Sequence, residues 1–439
     1  MRSYLLYACL PIIALIGLFR PFYGLLIYVL ANIIRPEMLF WGGYTGAIIF
    51  RVSIWSTLIG LMLRKNEVLR PLSLREIWLM LWIVLAVFAS LAVTHFTPNP
   101  RAMSYADEVL KLFILAWLIL GLVYEPDRIL KFENIVLGAA SLLALWGCQQ
   151  HFLGNVRLEG LGGSSFGDSN GVAAFSVLFF PLALHKLLTA HDRKNKLFGF
   201  VSALLLGLMT IFTESRGGLL GLIAAVLVLF WLTPKRKPMV IGLLVFAFVI
   251  FPFVGQQYIN RMHTITAKEG ERDFSAASRP VLWRVGLLIF KDNPIFGVGL
   301  LNYNRAKMAY KIDLMNSIDQ ELLDYVFVPA KVGHSTWICQ LLAEGGLFLT
   351  IPYMWLVLGF FWGVRRVRKK YPPDQNTSNL HNLLCGLNAG IFGYCVCLVF
   401  IDGFLDIFLP MQVFIGMQLL RAIERKTREN SVLELKQVS

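Results

Sequence analysis

Apolar runs of about sixteen to twenty residues recur along the whole chain, and an α-helix needs a run of roughly that length to cross the hydrocarbon core of a bilayer. Of the 439 residues, 57% are hydrophobic and 15% are charged, whereas about 25% of the residues in soluble domains are charged. Backbone groups in lipid must be hydrogen-bonded within their own segment, which favours helices. The sequence therefore predicts an all-α polytopic membrane protein and excludes a soluble enzyme, a secreted disulfide scaffold and a disordered chain.

The apolar runs predict about twelve transmembrane helices. The clearest spans are Ile77–Thr94, Val109–Tyr124, Ile135–Cys148, Gly171–Leu187, Leu197–Phe212, Leu219–Thr233, Met239–Phe253, Trp337–Trp362, Leu383–Phe400 and Phe404–Leu420. Earlier runs at Tyr4–Phe19, Phe22–Ile34 and Gly46–Leu63 supply two to four more crossings. Arg51 interrupts the third of these runs, so the number of helices before Ile77 stays open.

The net charge of +14 arises from 41 Lys and Arg against 27 Asp and Glu. Most of these basic residues lie in alternate short loops and in the tail: Arg64, Lys65, Arg70, Arg75, Arg128, Lys131, Lys186, Arg193, Lys194, Lys196, Lys235, Arg236, Lys237, Arg365, Arg366, Arg368, Lys369, Lys370, Arg421, Arg425, Lys426, Arg428 and Lys436. The opposite short loops hold only Arg101, Arg157 and Arg216. By the positive-inside rule the basic loops and the C-terminus are cytoplasmic. The distribution of the basic residues thus indicates the orientation of the protein in the membrane. We expect membrane lipids but no nucleic acid as partners.

One long connection divides the chain. We expect N-terminal transmembrane helices over residues 1–255, a long outer loop over 256–333, C-terminal transmembrane helices over 334–421 and a cytoplasmic tail over 422–439. A connection of this length in a compact protein is usually functional. Its interleaved charged and aromatic residues predict short helices that lie on the outer face, over a site.

The turn Ser215-Arg216-Gly217-Gly218 is the first candidate for chemistry on the outer face. Free N–H groups and the dipole at a helix N-terminus favour an anion, and the fork of donors on Arg216 suits phosphate. The glycine pair allows close backbone approach. The structural alternative is a connecting turn whose arginine snorkels to the headgroups.

Two further clusters lie in and after the long loop. Arg279 and Arg284 precede Asn293-Pro294-Ile295-Phe296-Gly297-Val298-Gly299 and Asn302, and the alternative there is a basic interfacial helix. His334 opens the next helix beside Gly333, with Glu344-Gly345-Gly346 further along. The ordinary pKa of histidine, near 6.5, suits a general base, although an interfacial histidine is also common as a structural residue. Which of the two arginines faces a site stays open.

Several kinds of site have no signature in the sequence. There is no P-loop and no paired Cys/His spacing for a metal, and the six cysteines lie in apolar stretches. We therefore expect no metal and no cofactor. Outward arginines with one histidine favour an anionic, phosphorylated substrate. A transporter of an anionic lipid or sugar is the alternative from another class, and it predicts inverted repeats, which the sequence lacks.

Taken in order, these clusters resemble the O-antigen ligase / polysaccharide polymerase superfamily of bacterial inner-membrane proteins. The resemblance rests on Phe166-Gly167-Asp168-Ser169-Asn170-Gly171, Ser215-Arg216-Gly217-Gly218, Arg279-x-x-x-Trp283, Asn293-Pro294, Gly297-x-Gly299, Asn302, His334-Ser335 and Glu344-x-Gly346. The segments Arg35-Pro36-Glu37-Met38 and Trp41-Gly42-Gly43 are more weakly similar to family members associated with exosortase systems.

The resemblance implies a glycosyltransferase on the periplasmic face of the Gram-negative inner membrane. Its donor would be a glycan on undecaprenyl pyrophosphate, and its acceptor lipid A-core, as in lipopolysaccharide synthesis. The polymerase branch and a branch that glycosylates proteins use the same donor, and short motifs do not separate the branches. His334, Arg216 and Arg279 would be catalytic. The substrate-binding residues would be Arg284, Ser215, Gly217, Asp168, Asn170 and Asn302.

Overall fold

Helices form the whole of the secondary structure that can be described. The structure is a computed structural model, and it describes residues 2–35, 47–63, 69–93, 100–161, 166–251, 274–315, 317–328, 337–401 and 406–438. Helices make up 83% of it, and these ranges contain no strand. The predicted all-α class is confirmed.

The helices fall into three groups along the chain. The first comprises α1 (Arg2–Phe19), α2 (Pro21–Ile34), α3 (Ala47–Leu63), α4 (Leu74–Ala92), α5 (Pro100–Leu122), α6 (Pro126–Phe152), α7 (Ser169–Thr189), α8 (Arg193–Phe212), α9 (Arg216–Leu232) and α10 (Arg236–Ile250). The second comprises α11 (Phe274–Asp292), α12 (Tyr303–Ala306), a 3₁₀ turn (Lys307–Tyr310), α13 (Lys311–Leu314) and α14 (Gln320–Val326). The third comprises α15 (Trp337–Lys370), α16 (Ser378–Leu398) and α17 (Phe408–Val438).

Six of these helices are long and apolar enough to cross a membrane, namely α4, α6, α7, α8, α15 and α16. The apolar stretches of α1, α2, α3 and α9 are shorter, at 10–17 residues each. Membrane-spanning helices are therefore present. The total of about twelve stays a prediction, as do the domain boundaries after residues 255, 333 and 421.

Helix α7 lies at the centre of the bundle. It packs against α8, α9 and α16, and 78% of its apolar window is buried. Helix α16 approaches α7 at backbone distance because Gly390 has no side chain: a Cβ there would lie 2.0 Å from the Leu178 carbonyl oxygen. Small residues permit such close packing of membrane helices. As a result, α7, α9 and α16 form one tightly packed group.

Basic side chains connect several loops at one end of the bundle. Arg421 of α17 pairs with Glu76 of α4, and Arg425 donates to a backbone carbonyl in the loop after α5, at 3.0 Å. Arg368 of α15 donates to the carbonyl oxygen of Leu232, where α9 ends, at 3.2 Å. Loops that the sequence assigns to the cytoplasm thus meet at one end, and the N-terminus of α9 lies at the other. Which membrane face each end occupies remains a prediction.

The helices α11 to α14 form a small hydrophobic core of their own. Its buried residues are Val281, Leu282, Val285, Ile289, Val298, Tyr303, Ala306, Leu314, Leu323, Val326, Phe327 and Ala343. The Tyr303 hydroxyl donates to the Leu282 carbonyl oxygen at 2.5 Å. Lys311 donates to Asp324 at 3.0 Å, and this hydrogen bond lowers the pKa of the Asp324 carboxyl. The expected short helices are therefore observed in the described part of the long connection.

Helix α15 is broken at Gly346, whose φ of 59° and ψ of −163° are not helical. In an uninterrupted helix, the N–H groups of the next two residues would donate four residues back. Here the N–H of Leu347 donates to the Pro294 carbonyl oxygen (2.8 Å), and that of Phe348 donates to the Ile295 carbonyl oxygen (3.0 Å). The turn after α11 thus accepts the hydrogen bonds that the break releases.

The same turn also supplies donors to the two carbonyl groups of α15 that the break leaves without their helical partners. The carbonyl oxygen of Ala343 accepts from the N–H of Val298 (2.9 Å), and that of Glu344 accepts from the N–H of Gly299 (3.0 Å) and from the Ser90 hydroxyl (2.6 Å). Two hydrogen bonds within the helix are therefore replaced by two pairs of backbone hydrogen bonds between α15 and the turn after α11. We call this contact between residues 294–299 and 343–348 the interlock.

The interlock requires glycine at two facing positions. A Cβ on Gly346 would lie 2.3 Å from the Ile295 carbonyl oxygen, and a Cβ on Gly297 would lie 2.5 Å from the Ala343 carbonyl oxygen. Gly297 also has a positive φ of 67°. The motifs Gly297-x-Gly299 and Glu344-x-Gly346, which the sequence placed in candidate site clusters, serve to join two backbones.

Replacement of Gly346 by alanine should lower the melting temperature of the purified protein in detergent. The added Cβ would collide with the facing backbone, and backbone conformations that only glycine adopts readily cost other residues about 1–3 kcal/mol each. Gly359→Ala in the same helix is the matched control, because the nearest atom to its added Cβ is 3.7 Å away. Equal melting temperatures for the two variants would contradict the interlock.

Candidate active site

Two helix N-termini lie side by side at the end of the bundle away from the basic loops. Asp168 caps α7 by accepting from the N–H of Gly171 (2.7 Å), and Ser215 caps α9 by accepting from the N–H of Gly218 (3.0 Å). The Ser215 hydroxyl also donates to Asn170 Oδ1 at 2.7 Å. The structure thus brings together three residues predicted to bind substrate, and it uses Asp168 and Ser215 as helix caps.

Arg216 is the first residue of α9, and only 8% of it is exposed. The residue that precedes its N-cap, Glu214, has a φ of 50°, a left-handed conformation that few residues other than glycine adopt. At this turn the chain is oriented so that the Arg216 side chain is buried in the protein. A snorkelling arginine would be exposed, so the burial of Arg216 does not fit that alternative. The functional role of Arg216 stays a prediction.

Phe400, just beyond the end of α16, connects the arginine turn to α11. A Cβ on Gly217 would lie 2.9 Å from the Phe400 Cβ, so the glycine lets the aromatic side chain pack against the N-terminus of α9. The guanidinium carbon of Arg279 lies 5.4 Å from the centre of the Phe400 ring. Arg279 and the residue after Arg216 thus contact the same aromatic side chain.

Arg284 lies elsewhere on α11. Five residues along a helix correspond to a rotation of about 140° relative to Arg279. Arg284 is exposed, and its Nη1 donates to the Ser317 hydroxyl at 3.4 Å, on the side of the short helices. The structure therefore separates the two candidate phosphate ligands, with Arg279 half-buried beside Phe400.

Asn302 lies three residues after the 294–299 segment of the interlock. It is completely buried, and its Nδ2 donates to the Val298 carbonyl oxygen at 3.1 Å. The neighbouring N–H of Tyr303 donates to the Glu344 carboxylate at 3.2 Å. Through these contacts Asn302 and Glu344 stabilise the interlock.

His334 lies outside the described residues, together with Gly333 and Ser335. The described part of α15 begins at Trp337, which is 4% exposed and packs edge-to-face on Tyr353 at 5.7 Å. The general base therefore stays a prediction.

Two polar residues near this end were not among the predicted site residues. The buried Tyr394 hydroxyl of α16 donates to Asp406 at 2.6 Å, just before α17 begins. Phe400 was not predicted either, because no local pattern distinguishes it from the other aromatic residues of the sequence. Among the described residues, no group of three or more His, Cys, Asp or Glu side chains is placed to hold a metal ion.

No curated protein matches the chain. Residues 201–354 match the family model described as O-antigen ligase. The matched stretch begins in α8, ends in α15 and includes Arg216, Arg279 and the interlock. The resemblance predicted from the motifs is therefore confirmed over residues 201–354.

Proposed function

We propose that the protein is a glycosyltransferase that moves O-antigen polysaccharide from undecaprenyl pyrophosphate to lipid A-core. The observation that carries the proposal is the approach of Arg279 and the Arg216 turn to the same aromatic ring, Phe400. The O-antigen ligase match supports the class of reaction, a transfer between lipid-linked glycans. The donor and the acceptor are part of the proposal.

The proposed reaction is a direct displacement at the sugar. An acceptor hydroxyl oxygen attacks the anomeric carbon, the bond from that carbon to the pyrophosphate oxygen breaks, and the leaving pyrophosphate keeps the electron pair. The hydroxyl proton passes to the imidazole of His334. Attack opposite to the leaving group inverts the anomeric centre. The step needs no oxidant, reductant or nucleotide.

Arg216 and Arg279 would stabilise the charge that develops on the leaving pyrophosphate. Arginine binds phosphate oxygens through two parallel hydrogen bonds, and fixed donors in a site with little water stabilise a transition state strongly. Arg216 is buried at a helix N-terminus, where the helix dipole also favours an anion. This arrangement suits a diphosphate held between α9 and α11.

The proposed location is the inner membrane of a Gram-negative cell, with the arginine end of the bundle facing the periplasm. The support is that basic loops meet at the opposite end, around Arg368 and Arg421. Labelling of single cysteines with a membrane-impermeant reagent in intact cells tests the orientation. Labelling near Arg421 but not near Arg216 would contradict it.

Replacement of Arg216 or Arg279 by lysine should lower transfer by about 10²–10³-fold, because lysine keeps the charge but loses the fork of donors. The assay uses purified protein, lipid-linked O-antigen and lipid A-core, with the product resolved on a gel. Lys291→Ala is the matched control, since this exposed basic residue also lies on α11. We expect a smaller loss for Arg284→Lys. Full activity in both Arg216→Lys and Arg279→Lys would overturn the mechanism.

Replacement of His334 by alanine should lower the rate by about 10²–10⁴-fold through loss of the general base. In the wild type the rate should rise with pH through the ordinary histidine range, near 6.5, because only the neutral imidazole accepts a proton. His334→Gln should remove this rise. An unchanged pH profile in His334→Gln would exclude the histidine as base. Chelation with EDTA should leave the rate unchanged.

Replacement of Phe400 by leucine should lower kcat/KM by about 2- to 30-fold, which corresponds to a cation–π contact of about 0.5–2 kcal/mol under Arg279. Phe392→Leu is the control, because Phe392 lies on α16, eight residues before Phe400, and is 40% exposed. Equal rates for the two variants would show that Phe400 does not position the arginine.

The lipopolysaccharide of a deletion strain distinguishes the ligase from other activities. Loss of a ligase leaves long chains on the lipid carrier and unmodified core. Core capped by one repeat would instead identify a polymerase, and loss of protein-linked glycan would identify a protein O-oligosaccharyltransferase. Movement of the donor across proteoliposomes without any transfer would favour a transporter.

A further inference from the structure

A polar cavity of about 260 Å³ lies between α6, α7, α8 and α16. Thr189, the last residue of α7, lines it, whereas the first residue, Ser169, lies beside the arginine turn. The 21 residues of α7 span about 31 Å. The cavity is therefore at the opposite end of α7 from Arg216 and is separate from the candidate active site.

A buried carboxylate lines this cavity. Glu133 of α6 is 3% exposed, and no described residue makes a hydrogen bond of ordinary geometry to either of its carboxylate oxygens. Its polar neighbour is Gln412 of α17, whose side-chain oxygen and nitrogen are likewise unsatisfied. A buried ionised carboxylate is costly unless a cation or several donors accompany it. Apart from the Gln412 amide, the described residues supply no donor to these oxygens, so the site can accept hydrogen bonds from a ligand.

A histidine adds a further acceptor to the same cavity. His185 of α7 is 2% exposed, and its ring is hydrogen-bonded to the backbone of Asn382. No described residue is hydrogen-bonded to its Nε2. A neutral imidazole that donates through one nitrogen accepts through the other. Two carboxylate oxygens and one imidazole nitrogen match the three N–H donors of a primary ammonium group.

A positive charge lines the same cavity without touching the carboxylate. Lys186 is half-buried, and its Nζ donates to Asn134 Oδ1 at 2.8 Å. The other acidic lining residue, Asp192, is engaged with Asn195, whose backbone N–H and side-chain amide it accepts at 2.9 and 2.8 Å. The Glu133 carboxylate and the Lys186 ammonium thus line the same cavity at separate positions. Two such charges are complementary to a zwitterion whose own ammonium and anionic groups are a few bonds apart.

The surroundings of the cavity are apolar and lipid-facing. Leucines contribute to its lining, and α8 continues from Asn195 into exposed apolar residues, with Leu197 at 63%, Phe200 at 43% and Val201 at 42% exposed. Exposed apolar side chains on a membrane helix face acyl chains. A ligand with acyl chains can therefore lie along α8 with its headgroup in the cavity.

We propose that this cavity binds the headgroup of a phospholipid that carries a primary ammonium, as phosphoethanolamine does. The ammonium donates to the Glu133 carboxylate and His185 Nε2, and the phosphate lies at Lys186. A quaternary ammonium has no N–H to donate, and a glycerol headgroup has no cation to accompany Glu133. Both should bind weakly.

Native mass spectrometry of the delipidated protein in detergent tests the proposal. We expect dioleoylphosphatidylethanolamine to bind at least tenfold more tightly than dioleoylphosphatidylcholine or dioleoylphosphatidylglycerol. Glu133→Gln, which is nearly isosteric, and Lys186→Met should each lose most of this preference. Glu159→Gln is the control, because this exposed carboxylate lies beyond the other end of α6.

Equal binding of the three lipids, or wild-type binding of phosphatidylethanolamine by Glu133→Gln, would overturn the site. Equally tight binding of free phosphoethanolamine would overturn the assignment to a lipid. Thermal unfolding provides a second measurement: phosphatidylethanolamine should raise the melting temperature of the wild type and of Glu159→Gln but not of Glu133→Gln. A uniform rise in all three proteins would also contradict the proposal.

Discussion

The exchange of backbone hydrogen bonds at Gly346 joins the two parts of the molecule. In a membrane an unsatisfied N–H or carbonyl group costs several kcal/mol. The two halves of α15 and the turn 294–299 therefore cannot separate without leaving such groups exposed. Ala343 of α15 belongs to the small core of α11 to α14, whereas Trp337, Leu341 and Leu349 of the same helix belong to the core of the bundle. One break in one helix thus fixes the small core on the bundle.

This attachment matters because the two arginines come from different parts. Arg216 belongs to α9 of the bundle, and Arg279 belongs to α11 of the small core. Phe400 lies between them, in contact with Gly217 on one side and with the Arg279 guanidinium on the other. The proposed diphosphate site would need the interlock to keep Arg216 and Arg279 at a fixed separation.

Much of this could be predicted from the sequence, because local signals carry it. The length of the apolar runs predicts the helices, and the Ser215 turn predicts the N-terminus of a helix. The role of Gly297 and Gly346 could not be predicted, since the two glycines are about fifty residues apart and only the fold shows that each makes room for the other's backbone. Phe400 was missed for the same reason: an aromatic residue at the end of a span has no local feature that marks its partner.

The burial of α7 has a consequence for the synthesis of the protein. Its apolar window has a mean hydropathy of 1.7 although 78% of it ends against protein. Its partner α16 is synthesised about two hundred residues later, which at roughly 5–20 residues per second takes about 10–40 s. During that interval α7 stands in lipid, where polar side chains would oppose insertion. The composition of this central helix therefore meets the demands of an early, lipid-exposed stage of biogenesis as well as those of the finished bundle.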